Sequence, residues 1–124
     1  GDRIKFTGRL EDRSVVIHSR ADISVLCSRF DGFGLTIVEA MLAGRPVLVS
    51  SEAGIAEFVK KAEAGFVVEP NTNKIQEGLF TAWNQRAELA AMGERGQNYV
   101  MENMTWEKVA RRSLSIYAEV FNKE

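Results

Sequence analysis

A chain of 124 residues, 45% hydrophobic and 27% charged, is long enough for one domain with its own core and too short for two. Its 16 basic and 17 acidic residues leave a net charge of -1, so the counterion release behind most nucleic-acid binding has no evident source, and nucleic acid is not an expected partner. No run approaches the roughly 18 apolar residues of a membrane span, and the start Gly1-Asp2-Arg3 has neither a signal pattern nor an initiator Met, as expected of a trimmed chain.

Ile4-Lys5-Phe6-Thr7 alternates apolar and polar residues and meets Gly8, which predicts a short strand near a sheet edge. From Leu10 to Arg20, Val15, Val16 and Ile17 among charged residues predict a short helix with one apolar side. His18 near its end reads as a helix-terminus cation or surface residue, since no Cys, Asp or second His stands at metal-ligand spacing. Residues 22–27 and 46–50 are nearly continuous in apolar side chains, as in parallel strands covered on both faces, and residues 65–68 form a third such run. The single Cys27 lies in the first run; it has no disulfide partner within the chain, reads as a buried inert thiol, and fits a reducing cytoplasm.

Between the second and third runs, residues 52–59 read as a loop with a flexible Gly54 leading into a short helix. Pro70-Asn71-Thr72-Asn73 breaks the pattern, after which Ile75, Leu79 and Trp83 recur every fourth residue and predict an amphipathic helix. Leu89, Met92, Gly96, Tyr99 and Val100 continue at helical spacing. Thr105 is a plausible N-cap, with Glu107 in the first turn, for a last helix carrying Val109, Ile116, Tyr117 and Val120. The expected fold is therefore α/β, with a parallel sheet, right-handed crossovers and a helix-rich second half, in one domain over residues 1–124.

The stretch with the most chemical content is Arg29-Phe30-Asp31-Gly32-Phe33-Gly34-Leu35-Thr36-Ile37-Val38-Glu39-Ala40-Met41, which reads as a loop after a buried strand feeding a helix at about Leu35. Gly32 and Gly34 do not complete a dinucleotide fingerprint, because the third glycine position falls on Ile37, and no Gly-Lys-Ser or Gly-Lys-Thr follows as a P-loop requires. What remains is a glycine loop whose backbone can approach a ligand, with the amides of Phe33, Gly34 and Leu35 expected as free donors at a helix N-terminus. Asp31 and Glu39 add two hydrogen-bond acceptors, so a ligand carrying phosphate and hydroxyls suits the stretch. The local pattern also admits a plainer reading: Thr36-Ile37-Val38-Glu39 matches a capping box and Asp31-Gly32 a simple turn. The Gly54 loop follows the neighbouring strand, so both loops are expected to line one crevice at the strands' carboxyl ends.

Over residues 4–117 the chain resembles the carboxyl-terminal, donor-binding domain of family 4 (group 1) glycosyltransferases of the GT-B fold. The resemblance rests on Ile4-Lys5-Phe6-Thr7-Gly8-Arg9-Leu10, on residues 21–47 around the glycine loop, on Ala64-Gly65-Phe66-Val67-Val68 and on Met92-Gly93-Glu94-Arg95. It implies a three-layer Rossmann-like sheet with helices on both faces, present as a partial domain. It also implies a nucleotide-diphosphate sugar as donor, transfer with retention to a glycan, lipid or other acceptor, and no metal or other cofactor. Carried onto this sequence, the family's pair of acidic residues falls on Asp31 and Glu39. Asp31 stands where the family uses Glu and would reach the donor-sugar hydroxyls as the catalytic acidic residue. Glu39 would bind the ribose hydroxyls; Phe33, Gly34 and Leu35, with Gly32 beside them, would hold the diphosphate, and Gly8, Arg9 and Leu10 would lie near the base. Gly54 stands in a degenerate copy of a family loop that here reads Ala53-Gly54-Ile55-Ala56-Glu57.

The resemblance further implies that the basic pair neutralising the departing diphosphate and the amino-terminal acceptor domain lie outside this sequence. The chain alone would then turn over nothing, and any peripheral membrane association would run through the absent domain. Arg29 and Arg45 are nearby but read as surface residues. Three other readings stay open: a non-catalytic nucleotide- or sugar-phosphate-binding module; a phosphoacceptor domain, poorly supported because Ser28, Ser50 and Ser51 occupy the strand ends; and an interaction domain docking through Tyr99, Trp106 and Tyr117.

Overall fold

The structure is a computed structural model, described over residues 2–123. After a 3₁₀ turn at Glu11–Arg13 come α1 (Ser14–Arg20), β1 (Ser24–Leu26), α2 (Leu35–Leu42), β2 (Val47–Ser50), α3 (Ala56–Ala62), β3 (Gly65–Val68) and α4 (Thr72–Asn84). A second 3₁₀ turn, Arg86–Glu88, leads into α5 (Leu89–Asn103) and then α6 (Trp106–Phe121). The three strands form one parallel sheet in the order β1-β2-β3, in register Ser24 to Val47 and Val47 to Gly65. This is the expected α/β architecture, and its second half is helical.

The apolar run Val47-Leu48-Val49 makes β2 the central strand because both its faces find cover. Val47 and Val49 point into the main core with Ile37, Ala40 and Met41 of α2, Ala56 and Val59 of α3 and Val100 of α5. Leu48 points the other way, where α4 covers it: a Cβ added at Gly78 would stand 3.0 Å from Leu48 Cδ1 and 2.7 Å from Val68 Cγ1. Helices therefore lie on both faces, three against one.

The fold departs from the sequence reading in several places, the first being residues 22–27, expected to be covered on both faces: β1 is an edge strand with one open face, and Val25 is exposed. Residues 4–7 form no strand: a strand needs a ladder partner, and none of the three strands pairs with them, so Phe6 is left 93% exposed. The stripe on α4 is not its buried side: the helix packs through Gly78 and Ala82, while Leu79 and Trp83 stay exposed, because contact this close leaves room only for small side chains. Tyr99 does not share an outer face with Trp106 and Tyr117; it is half-buried, with its ring 6.4 Å from that of Phe58, which in turn packs edge-on to Phe33 at 5.6 Å. Thr105 does cap α6, accepting from the Lys108 N–H, yet this helix buries no side chain among the described residues.

Candidate functional site

The loop after β1 and the loop after β2 are fastened together at the carboxyl end of the sheet. Asp31 and Ala53 form an isolated parallel bridge, and the Gly54 N–H donates to the Asp31 carbonyl at 3.3 Å. The approach requires glycine: a Cβ on Gly54 would lie 2.4 Å from the Gly32 carbonyl oxygen. The expected crevice is thus a closed seam in which Asp31, Gly32 and Gly54 meet. Beneath it the Ser50 hydroxyl donates to the Ser28 carbonyl, tying β2 to the end of β1. Cys27 is half-buried, and burial pushes its thiol pKa up, the opposite of what a nucleophile needs.

Helix α2 starts without a side-chain cap. Gly34 occupies the N-cap position with φ of 98°, a left-handed backbone that suits glycine, and Thr36 lies within the helix rather than at its cap. The capping-box reading is therefore not realised: the Glu39 carboxylate makes no hydrogen bond back to the helix start among the described residues. The Phe33 amide, expected to be free, instead donates to Asp31 Oδ1 at 3.2 Å in a local side-chain turn. The Gly34 and Leu35 amides have no protein acceptor among the described residues. Leu35 is largely exposed and stands one turn above Glu39 on the same helix face.

Glu39 opens onto a cleft of about 740 Å³. Its walls are Gly8, Arg9, Leu10 and Glu11 from the segment before α1, Ser14, Ile17 and His18 from α1, and Thr36 and Glu39 from α2. Gly8 has φ of 66°, which turns the chain over the cleft toward α1. The structure therefore brings Glu39 together with Gly8, Arg9 and Leu10, and it gathers Asp31, Gly32, Phe33 and Gly54 in the adjoining seam, with Gly34 and Leu35 between the two groups. Arg29 is exposed, as expected. Arg45 is not a surface residue: it is half-buried, and its guanidinium donates to the Ser19 carbonyl at 2.6 Å, joining the end of α2 to α1.

Sequence reasoning missed His18 as a cleft residue. Its Nδ1 lies 2.8 Å from the hydroxyl of Ser24 on β1, and the ring is half-buried. A lone histidine offers no spacing signal; only the packing of α1 beside β1 reveals its position. Among the described residues no three His, Cys, Asp or Glu side chains cluster as a metal site, and no helix is long and apolar enough to cross a membrane.

The family described as glycosyl transferases group 1 matches residues 1–99. The chain belongs to that family. Among relatives of this group 1 chain, the N-acetyl-alpha-D-glucosaminyl L-malate synthase of Bacillus anthracis is 27% identical over 99% of the chain and 32% of its own length. A GDP-mannose-dependent monoacylated alpha-(1-6)-phosphatidylinositol monomannoside mannosyltransferase of Corynebacterium glutamicum is 31% identical, over 91% of the chain and 32% of its own length. The solved sucrose-phosphate synthase of Thermosynechococcus elongatus superposes on all of the chain with a TM-score of 0.85 at 28% identity, and the match covers 32% of that enzyme. The group 1 chain thus spans about a third of the length of these relatives.

Proposed function

We propose that this group 1 chain is the donor-binding part of a retaining glycosyltransferase, taking a nucleotide-diphosphate sugar in the cleft at the start of α2. The observation that carries the reading is the uncapped start of α2. The Gly34 and Leu35 amides there have no protein acceptor, and Glu39, one turn below, opens onto the cleft with its carboxylate free of the backbone. Backbone donors at a helix N-terminus suit a diphosphate, and a carboxylate that accepts two hydrogen bonds suits a ribose cis-diol. The phosphate charge then meets the positive end of the helix dipole, so the reading invokes no metal. Arg9 and Leu10 flank the position of the base, and Asp31 faces the sugar from the seam.

On this reading catalysis also needs a cation to balance the departing diphosphate and an acceptor site, both supplied by sequence beyond these residues, so the chain alone binds donor without turning it over. The engagement of Asp31 with the Phe33 amide favours a second reading, a non-catalytic nucleotide-binding module. Calorimetry with UDP, GDP and ADP separates the cleft from its absence: the wild-type chain binds one of them, and Glu39→Ala weakens that binding about tenfold or more, the loss of a charge-assisted hydrogen-bond pair. Equal binding by wild type and variant removes Glu39 from the site. Turnover of any nucleotide sugar by the 124-residue chain overturns the claim of inactivity.

A further inference from the structure

We propose that His18 is a specificity-determining residue for the nucleoside half of the donor, presenting an Nε2–H donor into the cleft while Ser24 fixes the ring as a positioning residue. The proposal rests on the donor-binding reading of the cleft. Its basis is the hydrogen-bond arithmetic of a nearly buried hydroxyl. Ser24 is only 7% exposed, on the edge strand β1, and its hydroxyl has one partner among the described residues, His18 Nδ1 at 2.8 Å. If Nδ1 carried the proton and donated to Ser24, the hydroxyl hydrogen would have no acceptor in a site where unpaired polar hydrogens are costly. If Ser24 donates instead, its hydrogen is satisfied and Nδ1 is the acceptor. A neutral imidazole then holds its single proton on Nε2.

That nitrogen makes no hydrogen bond to the protein among the described residues, and its ring lines the same cleft as Gly8, Arg9, Leu10 and Glu39. The cleft then carries a matched pair: Glu39 on α2 only accepts, and His18 on α1 donates. A nucleoside answers both, with ribose hydroxyls to donate and ribose or base oxygens to accept. The hydrogen bond to β1 limits rotation of the imidazole, so the donor is oriented before ligand arrives and little side-chain entropy is lost on binding.

His18 is the chain's one histidine, so the imidazole nitrogens can be followed in the intact chain by long-range proton–nitrogen NMR without any substitution. The free chain is expected to show Nδ1 as the acceptor and Nε2 as the protonated nitrogen. Titration with UDP, GDP and ADP is expected to move Nε2 for the nucleotide that binds, saturating at the Kd found by calorimetry, while pyrophosphate alone leaves it in place. His18→Phe is expected to weaken nucleotide binding about fivefold, and Ser24→Ala about threefold with loss of the single tautomer, as one hydrogen bond and its orientation are removed. Nitrogen shifts that stay unmoved while the Glu39 amide responds would overturn the role of His18 and leave the donor site standing. Movement with pyrophosphate alone would also overturn it, because His18 would then read phosphate. If no nucleotide moves either residue, the donor-binding reading fails and takes this proposal with it.

Discussion

Replacing Gly54 by alanine adds one methyl group at the seam between the two crossover loops. The new Cβ would sit 2.4 Å from the Gly32 carbonyl oxygen, 3.1 Å from the Gly32 carbonyl carbon and 3.1 Å from Phe33 Cα. All three are backbone atoms, so no side chain can swing aside and the loops must part by close to 1 Å. Relieving that clash breaks the Gly54 N–H bond to the Asp31 carbonyl and the bridge of Asp31 with Ala53. Overpacking of this kind costs about 1–3 kcal/mol and the lost backbone bond about 1 kcal/mol more, giving roughly 2–4 kcal/mol. For a domain of this size each kcal/mol lowers Tm by about 4 °C, so a circular-dichroism melt should fall by roughly 8–16 °C. Gly32→Ala is the control: a Cβ there meets nothing within 4 Å, and its cost should stay within about 0.5 kcal/mol. A Gly54→Ala chain that melts within about 2 °C of wild type would refute the claim that the seam is locked by backbone contact.

Ser50→Ala leaves the Ser28 carbonyl without its donor and should cost about 1–2 kcal/mol in urea unfolding, with an unchanged m-value. Burial raises the Cys27 thiol pKa, so alkylation by iodoacetamide in the folded chain should be slower at pH 8 than in urea. The unfolded chain releases that proton first, so this thiol's contribution to stability should decline as pH rises past the ordinary thiol range; equal alkylation rates in the two states would contradict the shift. Thr105→Ala removes the N-cap bond to Lys108 and, because α6 buries no side chain, should speed amide exchange within α6 while leaving exchange in the strands unchanged.

The fold was readable where hydrophobic burial is two-sided. Val47-Leu48-Val49 needs cover on both faces, and its β-branched valines, bounded by Gly44 and Pro46, favour a central strand over a buried helix. Residues 4–7 carry an equally plausible pattern, but alternation says only that a segment could pair, and pairing depends on a neighbour the sequence does not name. Spacing also failed on α4, where Gly78 and Ala82 outrank Leu79 and Trp83: closeness of approach, set by the side chains opposite, decides which side of a helix is buried. At the site, Glu39 was legible as an acceptor, but whether it caps the helix depended on the left-handed Gly34 taking the N-cap position two residues before Thr36. His18 was illegible, because its partner Ser24 belongs to another element and the distance between them exists only in the fold.

Strand order in this sheet equals chain order, so each strand pairs with the one next to it in sequence across a single helical crossover. Each pairing closes one helical crossover and no longer excursion, which is the smallest loop-closure cost a parallel pair can have. Every ladder bond of the sheet has β2 as one partner. Its amides should therefore exchange last of all, and the loop that carries Gly54 into the seam hangs directly from the carboxyl end of that slowest-opening strand.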